Sequence, residues 1–377
     1  MNIHDFDDIR PFLPEELPEV YDRLLANPDF QSVIQTVYQN VPFEQVAALM
    51  RSTKDANEFQ TKLVYPVLTQ LIQKASTGLT SNLSNVLTDQ EKTKCHTFVS
   101  NHRDIVLDSA LLCYVLQDNK LTTVEIAIGD NLLIKPWILD LVRVNKSFIV
   151  QRALTMRQML LASAKLSKYM HYAINEKHEN VWIAQREGRA KDSDDRTQDS
   201  VLKMLSMGGD LKELNIVPLT ISYEFDPCDY LKAQEFQQKR DNPAFKKSRQ
   251  DDLDNMKTGI FGYKGRVHYH CAAPINTWMD ELDGLPRKDF FATLAARMDR
   301  ELHANYRLYP CNYIAMDELN GNNDHADHYT DKDKLRFEQY LAGQMAKINI
   351  PNKDEAFLRE RMLTMYANPL RNHLAAL

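Results

Sequence analysis

CHTFVSNHRDIVLDSALL, residues 95–112, joins a β-favouring run to a polar turn and then to an apolar helical pattern. The same change of texture recurs downstream. Thr97–Ser100 is followed by a helical pattern over 105–117, Thr123–Ile128 by one over 130–142, and Ser147–Gln151 by one over 153–175. Val181–Ala184, Ile216–Tyr223 and Arg266–Cys271 are further short runs of this kind. Leu166, Tyr169, Met170 and Ala173 fall at helical offsets within the third pattern. Strands separated by helical patterns predict an α/β fold with a mixed, largely parallel sheet flanked by helices. On that reading Asn101–Asp104 is a strand-to-helix turn, a frequent location for catalytic groups. Asp104 and Asp108 are four residues apart, on one face of the helix start, where the helix dipole favours carboxylates and backbone N–H groups need capping. Taken alone, the stretch is equally an ordinary cap with a surface histidine.

Upstream, residues 1–90 are expected to form a helical N-terminal domain. Leu17, Val20, Tyr21 and Leu24 repeat at offsets 0, 3, 4 and 7, as do Val64, Val67, Leu68 and Leu71. Residues 95–275 form the expected α/β domain. Residues 276–377 are an expected mixed, mostly helical extension, ending in a helix through Phe337, Tyr340, Leu341 and Met345. The charged stretch 228–258 reads as a solvated helical insertion, DSDD (192–195) as a solvated loop, and 318–334 as polar and turn-like.

The 377 residues are 44% hydrophobic and 26% charged, which allows a sizeable core. A net charge of −6 argues against a nucleic-acid partner. Five scattered cysteines without a C-x-x-C pair suit reduced thiols in a cytoplasmic protein. The acidic start MNIHDFDDIR lacks the features of a signal peptide, and the apolar run 105–116 is too short to span a bilayer. The expected location is therefore the cytoplasm, at most against the inner membrane surface.

Phosphate-loop, nucleophile-elbow and dinucleotide-binding signatures are absent, which weighs against those enzyme classes. Four other stretches stand out. FIVQR (148–152) is an apolar strand ending in Arg152, and QREGRA (185–190) places Arg186, Glu187, Gly188 and Arg189 just past the strand VWIA. Backbone N–H groups and guanidinium forks in such a turn suit a phosphate. NIVPLTISYE (215–224) is a buried strand, and GRVHYHCAAPI a later strand with His268 and His270 on one face. His268, His270 and Cys271, and separately Asp324, His325 and His328, contain metal-ligating types, but packing and a solvated loop explain them better, so no metal is expected.

In this order, NHRDIVLDSALL, FIVQR, REGRA and IVPLTISYE resemble the four blocks of the glycerol-phosphate and lysophospholipid acyltransferase superfamily, over about residues 95–275. The first block of that family is His-x4-Asp; here Asp108 stands six residues after His102, so the spacing is His-x5-Asp. The resemblance implies transfer of a fatty acyl group from acyl-CoA or acyl carrier protein to a hydroxyl of glycerol-3-phosphate or a lysophospholipid. Apart from the donor substrate it implies no cofactor. His102 would be the general base, with Asp108, or else Asp104, holding the imidazole. Arg152, Glu187, Gly188 and Arg189 would bind the acceptor's phosphate or polar head group, with Arg103 and Arg186 of second rank. Glu187 is expected to orient an arginine or the turn. The apolar run 105–116 and the Leu/Met-rich helix 154–170 are expected to line an acyl groove, and a lipid substrate implies contact with a peripheral membrane surface. The glycerol-3-phosphate type is slightly favoured over the lysophosphatidate type. An amino-acid-lipid O-acyltransferase and a catalytically inactive lipid- or partner-binding relative are the alternatives.

Overall fold

In a computed structural model, residues 2–152 and 155–377 are described. The expectation of a helix from residue 153 therefore falls partly outside the described residues, at Ala153 and Leu154. Five helices open the chain: α1 (Leu17–Ala26), α2 (Pro28–Val37), α3 (Phe43–Arg51), α4 (Ala56–Phe59) and α5 (Tyr65–Ala75). Then come β1 (Gly78–Asn82), β2 (Thr97–Ser100), α6 (Leu107–Asp118), β3 (Val124–Gly129), α7 (Pro136–Val144), β4 (Ser147–Val150), α8 (Met156–Asn175) and β5 (Asn180–Ala184). They are followed by α9 (Asp199–Leu205), β6 (Ile216–Tyr223), α10 (Asp229–Asp241), α11 (Arg249–Phe261) and β7 (Arg266–Cys271). Four helices close the chain: α12 (Arg287–Ala304), α13 (Pro310–Asn320), α14 (Asp331–Met345) and α15 (Glu355–Ala376).

The strands form one sheet in the order β1-β7-β6-β2-β5-β3-β4. Every pair is parallel except β6 with β7, so the sheet is mixed and largely parallel, as the alternating pattern predicts. Alternate side chains on a strand face opposite ways. Val99 and Ile183 accordingly pack into a cluster with Leu166, Tyr169, Met170, Leu202 and Met298, from α8, α9 and α12. Phe98 and Trp182 pack on the other face with Leu68, Leu107, Leu111 and Leu112, from α5 and α6. Helices thus cover both faces, which keeps the central strands β2, β5 and β6 buried.

Because β2 to β6 run in one direction, their carboxyl ends share a single edge of the sheet. The turn after β2, the turn after β5 and Arg152 beyond β4 all meet there, the usual location of sites in such sheets.

Three expectations are corrected. The N-terminal segment is not wholly helical: Gly78–Asn82 pair with Arg266–His270 at the margin of the sheet, where β7 would otherwise be an unpaired edge. The charged stretch 228–258 is not a solvated insertion. Asp229, Lys232, Glu235 and Gln237 of α10 are buried, each with a partner: Lys232 pairs with nearby Asp226, Glu235 with the remote Lys191, and Asp229 accepts from the remote Tyr366 and Gln344, while Gln237 donates to Asn352 O. Nor is DSDD a solvated loop throughout, since Asp195 is fully buried.

Candidate active site

The turn after β2 is fixed by its own polar groups. Asn101, fully buried, accepts from Ile221 N at 2.8 Å and donates to Ile221 O at 2.9 Å, copying a strand partner and pinning the turn to β6. His102 Nδ1 lies 2.8 Å from Asp108 Oδ2. The same oxygen accepts the backbone N–H groups of Arg103 at 2.6 Å and Asp104 at 3.0 Å. Asp108 is sealed from solvent, and three donors fix its position. The loop through Ile105 and Val106 wraps this carboxylate, so the five residues between His102 and Asp108 still let the two side chains meet.

A carboxylate oxygen only accepts, so His102 Nδ1 carries the hydrogen of that bond and the neutral ring keeps its lone pair on Nε2. Nε2 has no partner among the described residues and is open to solvent. The ring stands edge-on to Trp182, with centroids 5.8 Å apart, and Trp182 donates to Ser100 Oγ at 3.0 Å. The imidazole is thus oriented from two sides with one nitrogen free.

Asp104 serves elsewhere. Its Oδ1 accepts from Val106 N at 2.9 Å and Leu107 N at 2.8 Å, satisfying free donors at the start of α6. Its Oδ2 lies where a Cβ on Gly259 would stand, 2.0 Å away, so Gly259 makes room for it. Burial first, and then the charge of Asp108, raise its pKa. The carboxylate at His102 is therefore Asp108, and Asp104 shapes the helix start.

Arg103 is also corrected as an acceptor-binding candidate. Its side chain turns inward, 6% exposed, pairs with Asp195 Oδ2 at 2.7 Å and lies over the Tyr306 ring. Tyr306 Oη donates to the same Asp195 oxygen at 2.6 Å. A guanidinium sealed against a carboxylate is not free to bind an incoming phosphate.

The turn after β5 has the opposite character. β5 pairs with β2, Ala184 opposite Ser100, so the two turns are neighbours. Glu187 N donates to Gln198 Oε1 at 2.8 Å, and Gly188 sits at φ +69°, a left-handed conformation that favours glycine. Arg186 makes no bond or ion pair among the described residues. Arg189 donates through Nη2 to Asn255 Oδ1 at 3.0 Å, while its Nη1 is buried without a partner. Both guanidiniums line an open basin of about 400 Å³. Lys191, Arg196, Asp192, Asp194, Gln198 and Phe236 complete its wall. Lys191 pairs with Glu235, and Arg196 with Asp194 at 3.0 Å, so the cations without a carboxylate are Arg186 and Arg189. Asn255, which Arg189 meets, and Gly259, which makes room for Asp104, are four residues apart on α11, so that helix touches both turns.

Arg152 is outside the basin wall. It passes over the end of β3, where a Cβ on Gly129 would come within 2.7 Å of its Nε, and meets Glu187 at 3.1 Å. Glu187 is thus paired with Arg152 at the surface. Sequence reasoning missed Asn101, Lys191, Arg196 and Phe236; Asn101 lies within the opening stretch and Phe236 within 228–258, read as solvated, whereas Lys191 and Arg196 fall just outside the stretches 185–190 and 192–195.

The expected acyl groove divides. Leu107, Leu111, Leu112, Val115 and Leu116 of the run 105–116 are buried core, whereas Met156, Met159, Leu160 and Leu161 of α8 are exposed. Among the described residues no group of three His, Cys, Asp or Glu side chains is arranged to hold a metal ion. His268 Nδ1 instead meets Thr80 Oγ1 at 2.8 Å, and His328 stacks on Tyr313.

No protein-family model matches the chain. No curated protein matches it. Among solved structures, it is similar to the 1-acyl-sn-glycerophosphate acyltransferase of Thermotoga maritima, at 10% identity and a TM-score of 0.39, over 76% of this chain and 95% of that one.

Proposed function

We propose that the chain is an O-acyltransferase that moves a fatty acyl group from a thioester to a hydroxyl of an anionic glycerol-phosphate acceptor. The observation that carries this reading is His102, held by Asp108 with Nε2 free, beside a basin with two guanidiniums that lack a carboxylate. A hydroxyl attacks a thioester carbonyl efficiently only as its proton leaves. His102 Nε2 takes that proton while the new C–O bond forms, and Asp108 stabilises the imidazolium. When the tetrahedral intermediate collapses, the C–S bond breaks and the imidazolium returns the proton to the departing thiolate. No acyl-enzyme is needed, in keeping with the lack of a nucleophile elbow.

Arg186 and Arg189 would hold the acceptor's phosphate by charge-assisted bonds, and Lys191 and Arg196 would raise the local positive potential. Glycerol-3-phosphate is the first acceptor to test and lysophosphatidate the second. The donor would be acyl-CoA or acyl carrier protein, and the setting the cytoplasm at the inner membrane surface. No helix among the described residues is long and apolar enough to cross a membrane, so a lipid acceptor or product would be exchanged at a surface.

The test is thioester consumption with both donors against glycerol-3-phosphate, lysophosphatidate, a lyso-aminolipid and plain glycerol. Turnover with a phosphorylated acceptor, and little with glycerol, is the expected result. His102→Ala should lower kcat by about 10²–10⁴-fold. Undiminished turnover in that variant removes the proposed base. Turnover with the aminolipid alone would redirect the acceptor, and no turnover with any acceptor would leave a lipid- or partner-binding protein.

A further inference from the structure

The opening turns of α8 project from the body. Every residue from Thr155 to Leu161 is exposed, whereas further along the helix Leu166, Ser167, Met170 and Ile174 are buried. Met156, Met159, Leu160 and Ser163 extend that buried stripe at the same helical spacing, beyond the core it packs against. Met156 is 88% exposed, Met159 55%, Leu160 62% and Leu161 63%. Isolated exposed leucines and methionines need no explanation, but four within six residues form an apolar tip.

Three observations indicate what covers it. First, Met159, Leu160 and Leu161 are exposed at consecutive positions and so point around the helix rather than along one face, which suits a deformable apolar medium better than a groove that takes a single face. Second, its charge is complementary to an anionic surface. From Gln151 to Asn175 the chain has no Asp or Glu, although the whole carries −6. Of the cations in that stretch, Arg152 meets Glu187 and Lys165 meets Asp8, while Lys168 and, on the tip itself, Arg157 have no carboxylate partner among the described residues. Third, the tip stands at the carboxyl edge of the sheet, since α8 begins shortly after Arg152, whose guanidinium reaches the β5 turn.

We propose that this tip docks the protein on an anionic lipid surface, with Met156, Met159, Leu160 and Leu161 among the acyl chains and Arg157 against the phosphates. The placement deepens the acyl-transfer reading, on which it rests for the purpose of the contact: the edge bearing His102 would face the layer that holds lipid acceptors or products.

The experiment is co-sedimentation of the full chain with phosphatidylcholine vesicles, with and without phosphatidylglycerol, in the absence of thioester. Wild-type protein is expected to bind the phosphatidylglycerol-containing vesicles, and Met159→Ser/Leu160→Ser to bind at least about tenfold more weakly. Arg157→Gln should weaken binding about fivefold on those vesicles and leave neutral ones unaffected. Because all three side chains are exposed, melting temperatures should stay within a degree or two of wild type. Failure of wild type to sediment, or undiminished binding by both variants, overturns the docking. So does a wild-type dimer that becomes monomeric in the double variant, because a second copy then covers the tip. Vesicle binding that persists in a protein without transferase activity would sink the enzymatic reading and leave the docking in place.

Discussion

The turns after β2 and β5 lie side by side on one sheet edge and are built on opposite principles. In the β2 turn each charged side chain has a partner within the protein: Asp108 Oδ2 in His102 and two backbone N–H groups, Asp104 in the start of α6, and Arg103 in Asp195. Oδ1 of Asp108 and of Asp195 is buried without a hydrogen bond among the described residues. In the β5 turn Arg186 has no partner and Arg189 keeps a buried nitrogen unbonded. The first turn is organised by partners within the protein; on the proposed reading the second keeps its cations for a ligand. Substitutions in the two should therefore fail in different ways.

The largest effect is expected at the carboxylate that fixes His102. Asp108→Asn keeps the size of the side chain but removes the charge that holds Nδ1–H and stabilises the imidazolium. A fall in kcat of about 10²–10⁴-fold, with the acceptor KM nearly unchanged, is the expected outcome of steady-state kinetics. A change confined to KM would show that Asp108 acts on binding and would erase the contrast between the turns.

Next is Arg103→Ala. Asp195 would remain buried with Tyr306 and Asn101 but without its cation, a loss of about 3–5 kcal/mol in urea unfolding. Where the variant stays folded, its acceptor KM should match wild type. A raised KM with intact stability would return Arg103 to the binding site.

Arg189→Ala and Arg186→Ala should do the reverse. Removing a charge-assisted contact of about 1.5–3 kcal/mol raises the acceptor KM by about 10–150-fold, with little change in kcat or stability. Inorganic phosphate should compete with the acceptor in wild type and lose that competition in either variant. Insensitivity of KM to both changes would leave the basin without a role in acceptor binding.

How far the sequence disclosed this contrast follows from the range of each interaction. The alternation of strands and helices was legible because periodicity is local, and so was the crowding of His102, Arg103, Asp104 and Asp108 at one junction. Which carboxylate served which partner was not, since that depends on how the loop through Ile105 and Val106 folds back over Asp108. Arg103 was misread because adjacency to His102 says nothing about direction; Asp195, its partner, lies 92 positions on, within a run that looked solvated. Phe236 reaches the basin from α10, where Glu235 is paired with Lys191 and Asp229 accepts hydrogen bonds from Tyr366 and Gln344. Pairings across such separations leave no periodic trace. The projecting start of α8 was hidden for a related reason: its apolar spacing is that of a core helix, and only the position where the body ends exposes it.

The smallest effect tests the matched turn from within. Asp104 and Asp108 are two buried carboxyls close enough to interact, and burial together with Asp108 raises the pKa of Asp104 above its ordinary 3.8. Over the interval from that value up to its folded pKa, the native protein holds a proton that the unfolded chain has released. Stability must then fall as pH rises through the interval, because the folded state is the one binding more protons. Asp104→Asn preserves an oxygen to accept from Val106 and Leu107 but has no proton to lose. Urea unfolding of the two proteins should give similar stabilities at the acidic end, with the variant gaining on wild type as pH rises and turnover nearly unaffected. A wild type that gains on the variant with rising pH would mean that Asp104 is stabilised as a carboxylate, most simply by the neighbouring Arg189. The β2 turn would then depend on the cation of the β5 turn, and the two would form one electrostatic unit.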